Sequence, residues 1–179
     1  MVEFLSRTGW RRKEGLLLQW SSVDRDGEII RLERARSKSG KPRTFPYGRF
    51  PALRALIEKR WAGRSGLYVF QIDGQPIGLG ALRCAWRRAT RRAGLAGRLI
   101  HDLRRTAARN MRRAGLSEGE IMALCGWDTP SMFRRYDIID EADLAAAVAK
   151  FAAVNGTVAA QSGDLPVQPA ALTSSSINL

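Results

Sequence analysis

The sequence predicts an α+β fold that is mostly helical, with a small three-stranded antiparallel sheet near the N-terminus. Three observations carry this. Apolar residues recur at helical spacing over most of the chain, as at Leu53, Leu56 and Ile57 and again at Leu103, Ala107 and Met111. One early segment, Glu28 to Arg34, alternates Ile30 and Leu32 with charged residues between two turn signals. With 179 residues, 45% hydrophobic and 26% charged, the chain is long enough to close a core around both.

The elements follow in order. Met1 to Leu18 reads as a helix interrupted at Thr8-Gly9, with Thr8 as N-cap of a short helix that carries Arg11 and Glu14. Asp24-Arg25-Asp26-Gly27 is a turn, Glu28 to Arg34 a strand, Ser37-Lys38-Ser39-Gly40-Lys41 a second turn, and Arg43 to Tyr47 the returning strand. This places Lys38 at a hairpin tip. Pro51 suits the first turn of a helix through Trp61. Leu67 to Gln71 reads as a short strand closed by Asp73-Gly74. Leu79 to Ala93 is an amphipathic helix with Leu82, Trp86 and Ala89 on one stripe and Arg83, Arg87, Arg88, Arg91 and Arg92 on the other. His101 to Ala114 is helical and stops at Gly115. Ser117 and Glu120 form a capping box for a helix that ends at Gly126. Thr129-Pro130 opens a short helix leading to Phe133 and Tyr136, and Glu141 to Val154 is an alanine-rich helix. The expected division is one domain over residues 1–154 and a disordered tail over 155–179, where Ser, Ala, Pro and Gly dominate.

The net charge of +13 and a pI near 11.1 call for a polyanionic partner, nucleic acid above all. From Glu141 onward Lys150 faces Glu141, Asp143 and Asp164, so the basic surface belongs to the body of the chain. The two cysteines, Cys84 and Cys125, have no partners at ligand spacing and one histidine completes no zinc set, so no metal and no cofactor are expected. Both cysteines are expected as core thiols. The sequence carries no signal peptide and no apolar run of membrane length, which points to the cytoplasm and away from a membrane.

His101 is the only histidine, and Arg104 follows it one helical turn later, so two phosphate-binding side chains share one face. Cutting a phosphodiester without metal needs cations on the non-bridging oxygens, a nucleophile, and an acid for the leaving oxygen. Arginine suits the first task, because its planar fork binds phosphate bidentately and keeps its charge. The chain has two well-separated arginine motifs, around Arg11 and Arg104, a turn lysine and a late tyrosine. Glu14 is spaced to pair with Arg11 across one helical turn. On a chain this basic, the five arginines of Leu79 to Ala93 are expected to track a DNA backbone.

The ordered set Thr8-Gly9-Trp10-Arg11-Arg12-Lys13-Glu14, Ser37-Lys38-Ser39-Gly40-Lys41, His101-Asp102-Leu103-Arg104, Gly126-Trp127 and Tyr136 resembles the catalytic domain of the tyrosine recombinases, the phage-integrase family. The resemblance implies that fold for the chain. It implies Arg11 and Arg104 as phosphate-clamping arginines, Lys38 as general acid, His101 and Trp127 as a supporting pair, and Tyr136 as the nucleophile that forms a 3′-phosphotyrosine bond. Trp127 stands where many members have histidine. Lys41 is a rival for Lys38 within the same turn. The implied activity is cofactor-free cutting and rejoining of double-stranded DNA, in integration or excision, by a cytoplasmic protein of bacterial, phage or mobile-element origin. Several protomers would assemble on DNA, with the helix after Tyr136 docking onto a neighbour. Members usually carry an N-terminal DNA-binding domain, which is expected to be missing here, along with part of the first catalytic-domain helix. The alternative expectation is a catalytically inactive, basic DNA-binding remnant of an integrase.

Overall fold

The computed structural model describes residues 1–37, 40–134 and 141–161. The chain divides into two units, Met1–Ile138 and Ile139–Leu179. The first unit holds α1 (Val2–Thr8), α2 (Arg12–Leu16), β1 (Val23–Asp24), β2 (Ile29–Leu32), β3 (Arg43–Pro46), α3 (Pro51–Ala62), β4 (Gln71–Ile72), β5 (Gln75–Pro76), α4 (Leu79–Arg92), α5 (Asp102–Arg113), α6 (Glu118–Cys125) and α7 (Pro130–Arg134). The second holds α8 (Glu141–Gln161). No helix among the described residues is long and apolar enough to cross a membrane.

The break between α1 and α2 lies where expected, but its chemistry differs. Thr8 ends α1 and is not the N-cap of α2; its hydroxyl donates to the Phe4 carbonyl at 2.9 Å and accepts from the Trp10 N–H at 3.3 Å. Gly9 makes the turn with φ of 65°, and a Cβ there would meet Cys125 Sγ at 2.5 Å. Arg11 is left as the N-cap of α2, in extended backbone rather than on the helix. Steric need at Gly9 thus sets both the turn and the close approach of α6.

The three strands pair antiparallel in the order β1-β2-β3, with Ile30 opposite Phe45 and Leu32 opposite Arg43. Alternation places Ile30, Leu32, Phe45 and Arg43 on the buried face and Arg31 and Thr44 outside. The turn between β1 and β2 is held by the Gly27 N–H on Asp24 Oδ1 at 2.8 Å. In α3, Leu53, Leu56 and Ile57 enter the core as their spacing predicts.

The strand expected over Leu67 to Gln71 does not form as such. Tyr68 makes a single bridge with Gln19, and the chain then bends into the two-residue strands β4 and β5. Val69 and Phe70 are both fully buried, a pattern that a strand with one solvent-facing side cannot provide. On α4 the buried stripe is Leu82 and Thr90, with Trp86 partly covered; Ala89 and Cys84 are exposed. A stripe at four-residue steps is narrow, and Cys84 lies on the opposite side of it. Cys125 alone meets the expectation of a core thiol.

α1 packs against α5, where Ala107 and Ala108 are buried and small enough for close approach. The capping box at α6 is formed: the Ser117 N–H donates to Glu120 Oε2 at 2.7 Å and the Glu120 N–H to Ser117 Oγ at 3.3 Å. α8 runs to Gln161, past the expected boundary at Val154. Alanine supplies the highest helix propensity, and it carries the helix across Asn155 and Gly156 at a cost of about 1 kcal/mol for the glycine. Residues 162–179 of the expected tail lie outside the described residues.

Candidate active site

The site grows from the C-terminal end of α6. The last carbonyls of a helix have no partners within it and carry partial negative charge. Here they are met by side chains from distant segments. Trp10 Nε1–H donates to the Leu124 carbonyl at 3.1 Å. Arg104 Nη1 donates to the carbonyls of Gly9 and, at 2.7 Å, of Cys125, and its Nη2 donates to Gly126 at 3.2 Å. Arg43 Nη1 also donates to the Cys125 carbonyl. Gly126 ends α6 with φ of 70°, and a Cβ on it would fall 1.6 Å from Arg43 Nη1, so only glycine leaves room for that arginine.

Glu14 joins the arginines. It is 5% exposed, and its carboxylate accepts from the Arg11 backbone N–H at 2.9 Å, Arg11 Nη1 at 3.1 Å and Arg43 Nη2 at 2.6 Å. The Arg11–Glu14 pair expected from spacing is thus present, and Arg43 shares it. Arg43 is 7% exposed and its guanidinium lies over the Trp10 ring at 4.8 Å. Burial pulls its pKa below the ordinary arginine value, against the pull of Glu14. Arg104, 4% exposed, lies over the Trp127 ring at 5.0 Å. Burial, followed among the lowering causes by the neighbouring charges of Arg11 and Arg43, pushes its pKa down to about 10, so it stays charged at neutral pH. One buried carboxylate among three arginines leaves a positive excess, which is the condition for capturing an anion.

His101 is the N-cap of α5, one turn before Arg104, and is exposed. Its pKa lies below the ordinary 6.5, first through desolvation and then through Arg104 and Arg105, with Asp102 opposing. Trp127 is buried, edge-on to Phe133 with ring centroids 5.7 Å apart. Asp128 lies 4.0 Å from Arg11 Nη2 and 3.5 Å from Lys41 Nζ, bringing that lysine beside the arginine.

These residues meet at one cleft of about 1120 Å³, lined by Arg11, Glu14, His101, Arg104, Trp127 and Asp128 among others. Five of the expected site residues are therefore assembled. Lys38 and Tyr136 lie outside the described residues. Arg83, Arg87, Arg88, Arg91 and Arg92 are all exposed on α4 and do not line this cleft. Sequence reasoning missed Arg43 and Asp128. Arg43 had a signal, since it is two residues from Phe45 in a strand and so shares its buried face. Asp128 had none beyond its place next to Trp127.

Chemically, Arg104 keeps one Nη2–H and Nε–H uncommitted among the described residues, and Arg11 is aimed by Glu14 into the same cleft. Two forks held by fixed carbonyls and a carboxylate can grip a tetrahedral anion without rearranging.

A sequence profile of the phage integrase family matches residues 1–142. The integrase of Salmonella phage P22 is 29% identical over 148 residues, covering 76% of this chain and 38% of that protein. Among solved structures, the XerA recombinase is similar with a TM-score of 0.65 at 22% identity, over 83% of this chain and 56% of that one. A lambda integrase fragment (75–356), solved as a dimer bound to a COC′ core site, gives 0.64 at 22% identity, over 78% and 54%. The XerH recombinase bound to difH substrate gives 0.60 at 18% identity, over 82% and 44%. The chain thus spans 38% of the P22 protein and about half of these structures. With the profile running from Met1 into α8 and the fold shared with these recombinases, the chain belongs to the phage integrase family, the tyrosine recombinases.

Proposed function

We propose that this chain is the catalytic part of a site-specific recombinase that cuts and rejoins double-stranded DNA. The observation that carries this reading is the placement of Arg11 and Arg104, from opposite parts of the sequence, on one cationic cleft. In the reaction, the Tyr136 hydroxyl oxygen bonds to the scissile phosphorus and the bond to the 5′-oxygen breaks. A 3′-phosphotyrosine results, and the 5′-oxygen takes a proton from Lys38 to leave as a hydroxyl. Arg11 and Arg104 hold the non-bridging oxygens as negative charge accumulates there. Glu14 fixes the direction of Arg11. His101, neutral at neutral pH, is in the state that accepts the tyrosine proton. Reversal with a new 5′-hydroxyl rejoins the strand, since the phosphotyrosine conserves the bond energy.

Two features of the structure support the assignments of Lys38 and Tyr136. Ser37, the residue before Lys38, lines the cleft. α7, which precedes Tyr136 in sequence, is anchored by Phe133 on Trp127. The α4 arginines form no ion pair among the described residues, which suits a strip that meets DNA phosphates outside the cleft. α8 exposes Leu144, Val148 and Phe151 at helical spacing, an apolar stripe that fits docking onto a second copy bound to the same DNA. The alternative of an inactive remnant is not favoured, because a surface that only coats DNA has no use for buried, carbonyl-braced arginines.

The test is covalent attachment. Wild type should relax a supercoiled plasmid and leave a denaturant-resistant protein–DNA adduct, and Tyr136→Phe should do neither while binding DNA normally. An equal adduct yield from both proteins refutes the assignment of the nucleophile.

A further inference from the structure

Arg12 stands beside the arginines of the site without sharing their partners. It is the first residue of α2, half-buried, and lines the same cleft as His101. The other arginines of the site are braced: Arg11 and Arg43 by Glu14, Arg104 by three carbonyls. Arg12 has no ion pair or hydrogen bond among the described residues, and its Nε–H is closed off from solvent with no acceptor. A buried donor left unmade is unfavourable and calls for an explanation; Arg7, Arg43 and Arg60 also have one, but Arg12's belongs to a residue that lines the cleft, where a ligand can complete it. The charge acts on the cleft, since it contributes to holding His101 below its ordinary pKa.

The direction of Arg12 separates it from the phosphate grip. Arg11 is tied to Glu14 through both its backbone N–H and Nη1, so it is committed to that wall. The next residue leaves the backbone in another direction, lines the same cleft, and lies near enough to His101 for its charge to act there. A DNA strand lying across the cleft presents phosphates one after another, each with a full negative charge. Arg12 is a half-buried cation with no counter-ion among the described residues, one residue beyond the grip on the scissile group.

Resting on the recombinase reading, we propose that Arg12 binds a phosphate adjacent to the scissile one on the same strand, setting the position of that strand along the cleft and not taking part in bond cleavage. Its charge is then a register device. It adds affinity and holds the scissile phosphate opposite Arg11 and Arg104, without touching the bonds that form and break.

The experiment uses the full chain with wild type, Arg12→Gln and Arg12→Lys. Salt-dependent binding is measured on one fixed duplex, and adduct formation on a nicked duplex selected for cleavage from a random library. That nicked duplex is also made with single, uncharged methylphosphonates at each phosphate around the cleaved one. Arg12→Gln should weaken binding on the order of tenfold, as for one lost charge-assisted contact, and reduce the slope of log affinity against log salt by about 0.9. Its adduct rate at saturating DNA should fall far less than that of Arg104→Ala, since Arg12 touches none of the reacting atoms. A methylphosphonate at one neighbouring phosphate should bring wild type down to the affinity of Arg12→Gln and leave Arg12→Gln unchanged. Arg12→Lys should recover the salt slope, because a point charge suffices. Losses that add at every methylphosphonate position overturn the proposal. So does a fall in adduct rate with affinity intact, or a lowered melting temperature in Arg12→Gln that Arg12→Lys does not restore together with the slope. If wild type forms no adduct on any duplex, the recombinase reading fails, and the salt slopes still judge Arg12 as a phosphate ligand.

Discussion

Removing Arg43 tests whether the arginine cluster is one electrostatic unit. In Arg43→Met the side chain keeps an apolar stem and loses the guanidinium that lies over Trp10. Glu14 then loses its shortest partner, at 2.6 Å, inside a site where both side chains are no more than 5% exposed. Breaking a buried ion pair from one side costs about 3–5 kcal/mol, because a charge is left without its partner. Here the cost lies at the lower end. Glu14 keeps the Arg11 backbone N–H and Nη1, and the Cys125 carbonyl keeps Arg104. Arg43 also carries a buried Nε–H with no acceptor, a burden the methionine removes. The expected loss is about 2–3 kcal/mol, or roughly 5–10 °C in melting temperature for a chain of this size. Glu14→Leu should cost more, about 3–5 kcal/mol, since it strands two guanidiniums and leaves Arg104 facing uncompensated charge. In Glu14→Leu/Arg43→Met the pair is replaced by apolar groups, and the loss should fall well below the sum of the single changes. Urea unfolding of the four proteins measures this cycle. Single losses under about 1 kcal/mol, or losses that simply add, refute a coupled cluster.

Gly126→Ala should destabilise by at least about 2 kcal/mol and abolish the adduct, since it combines a positive φ with a Cβ inside Arg43; Gly80→Ala, in open space on α4, should be neutral or stabilising by up to about 1 kcal/mol on the same unfolding assay. His101 has a folded pKa below its unfolded 6.5, so the unfolded chain binds more protons between those values, and stability contributed by the neutral form is lost as pH falls through that window. The cleavage rate should show an acid limb below pH 6.5 that disappears in His101→Gln; a limb at or above 6.5 contradicts the assigned environment. Lys38→Ala should be strongly defective on normal DNA and recover on a substrate with sulfur at the bridging 5′ position, whose leaving group needs no proton. Lys41→Ala, which loses a largely exposed contact to Asp128, should be mildly impaired on both substrates, and rescue of Lys41→Ala alone would move the acid to Lys41.

Much of this was legible in the chain itself, for local reasons. The capping box at Ser117, the stop at Gly126, the apolar spacing in α3 and α5 and the alternation in β2 depend on neighbours within a few residues. The pairing of Glu14 with Arg11 is likewise one helical turn. The order of motifs then placed Arg11, His101, Arg104 and Trp127 in one site before any contact was known. What the sequence could not state is which charges share a partner. Arg43 looks like any strand arginine until its face packs on Trp10, and it reaches Glu14 and the Cys125 carbonyl across 29 and 82 residues of chain. Arg104 reaches Gly9 across 95. The carbonyls that brace it exist as acceptors only because α6 ends there without helical partners. A one-dimensional pattern carries each residue's propensity and charge, whereas desolvation and the sharing of one carboxylate among several cations are set by what lies around it in space.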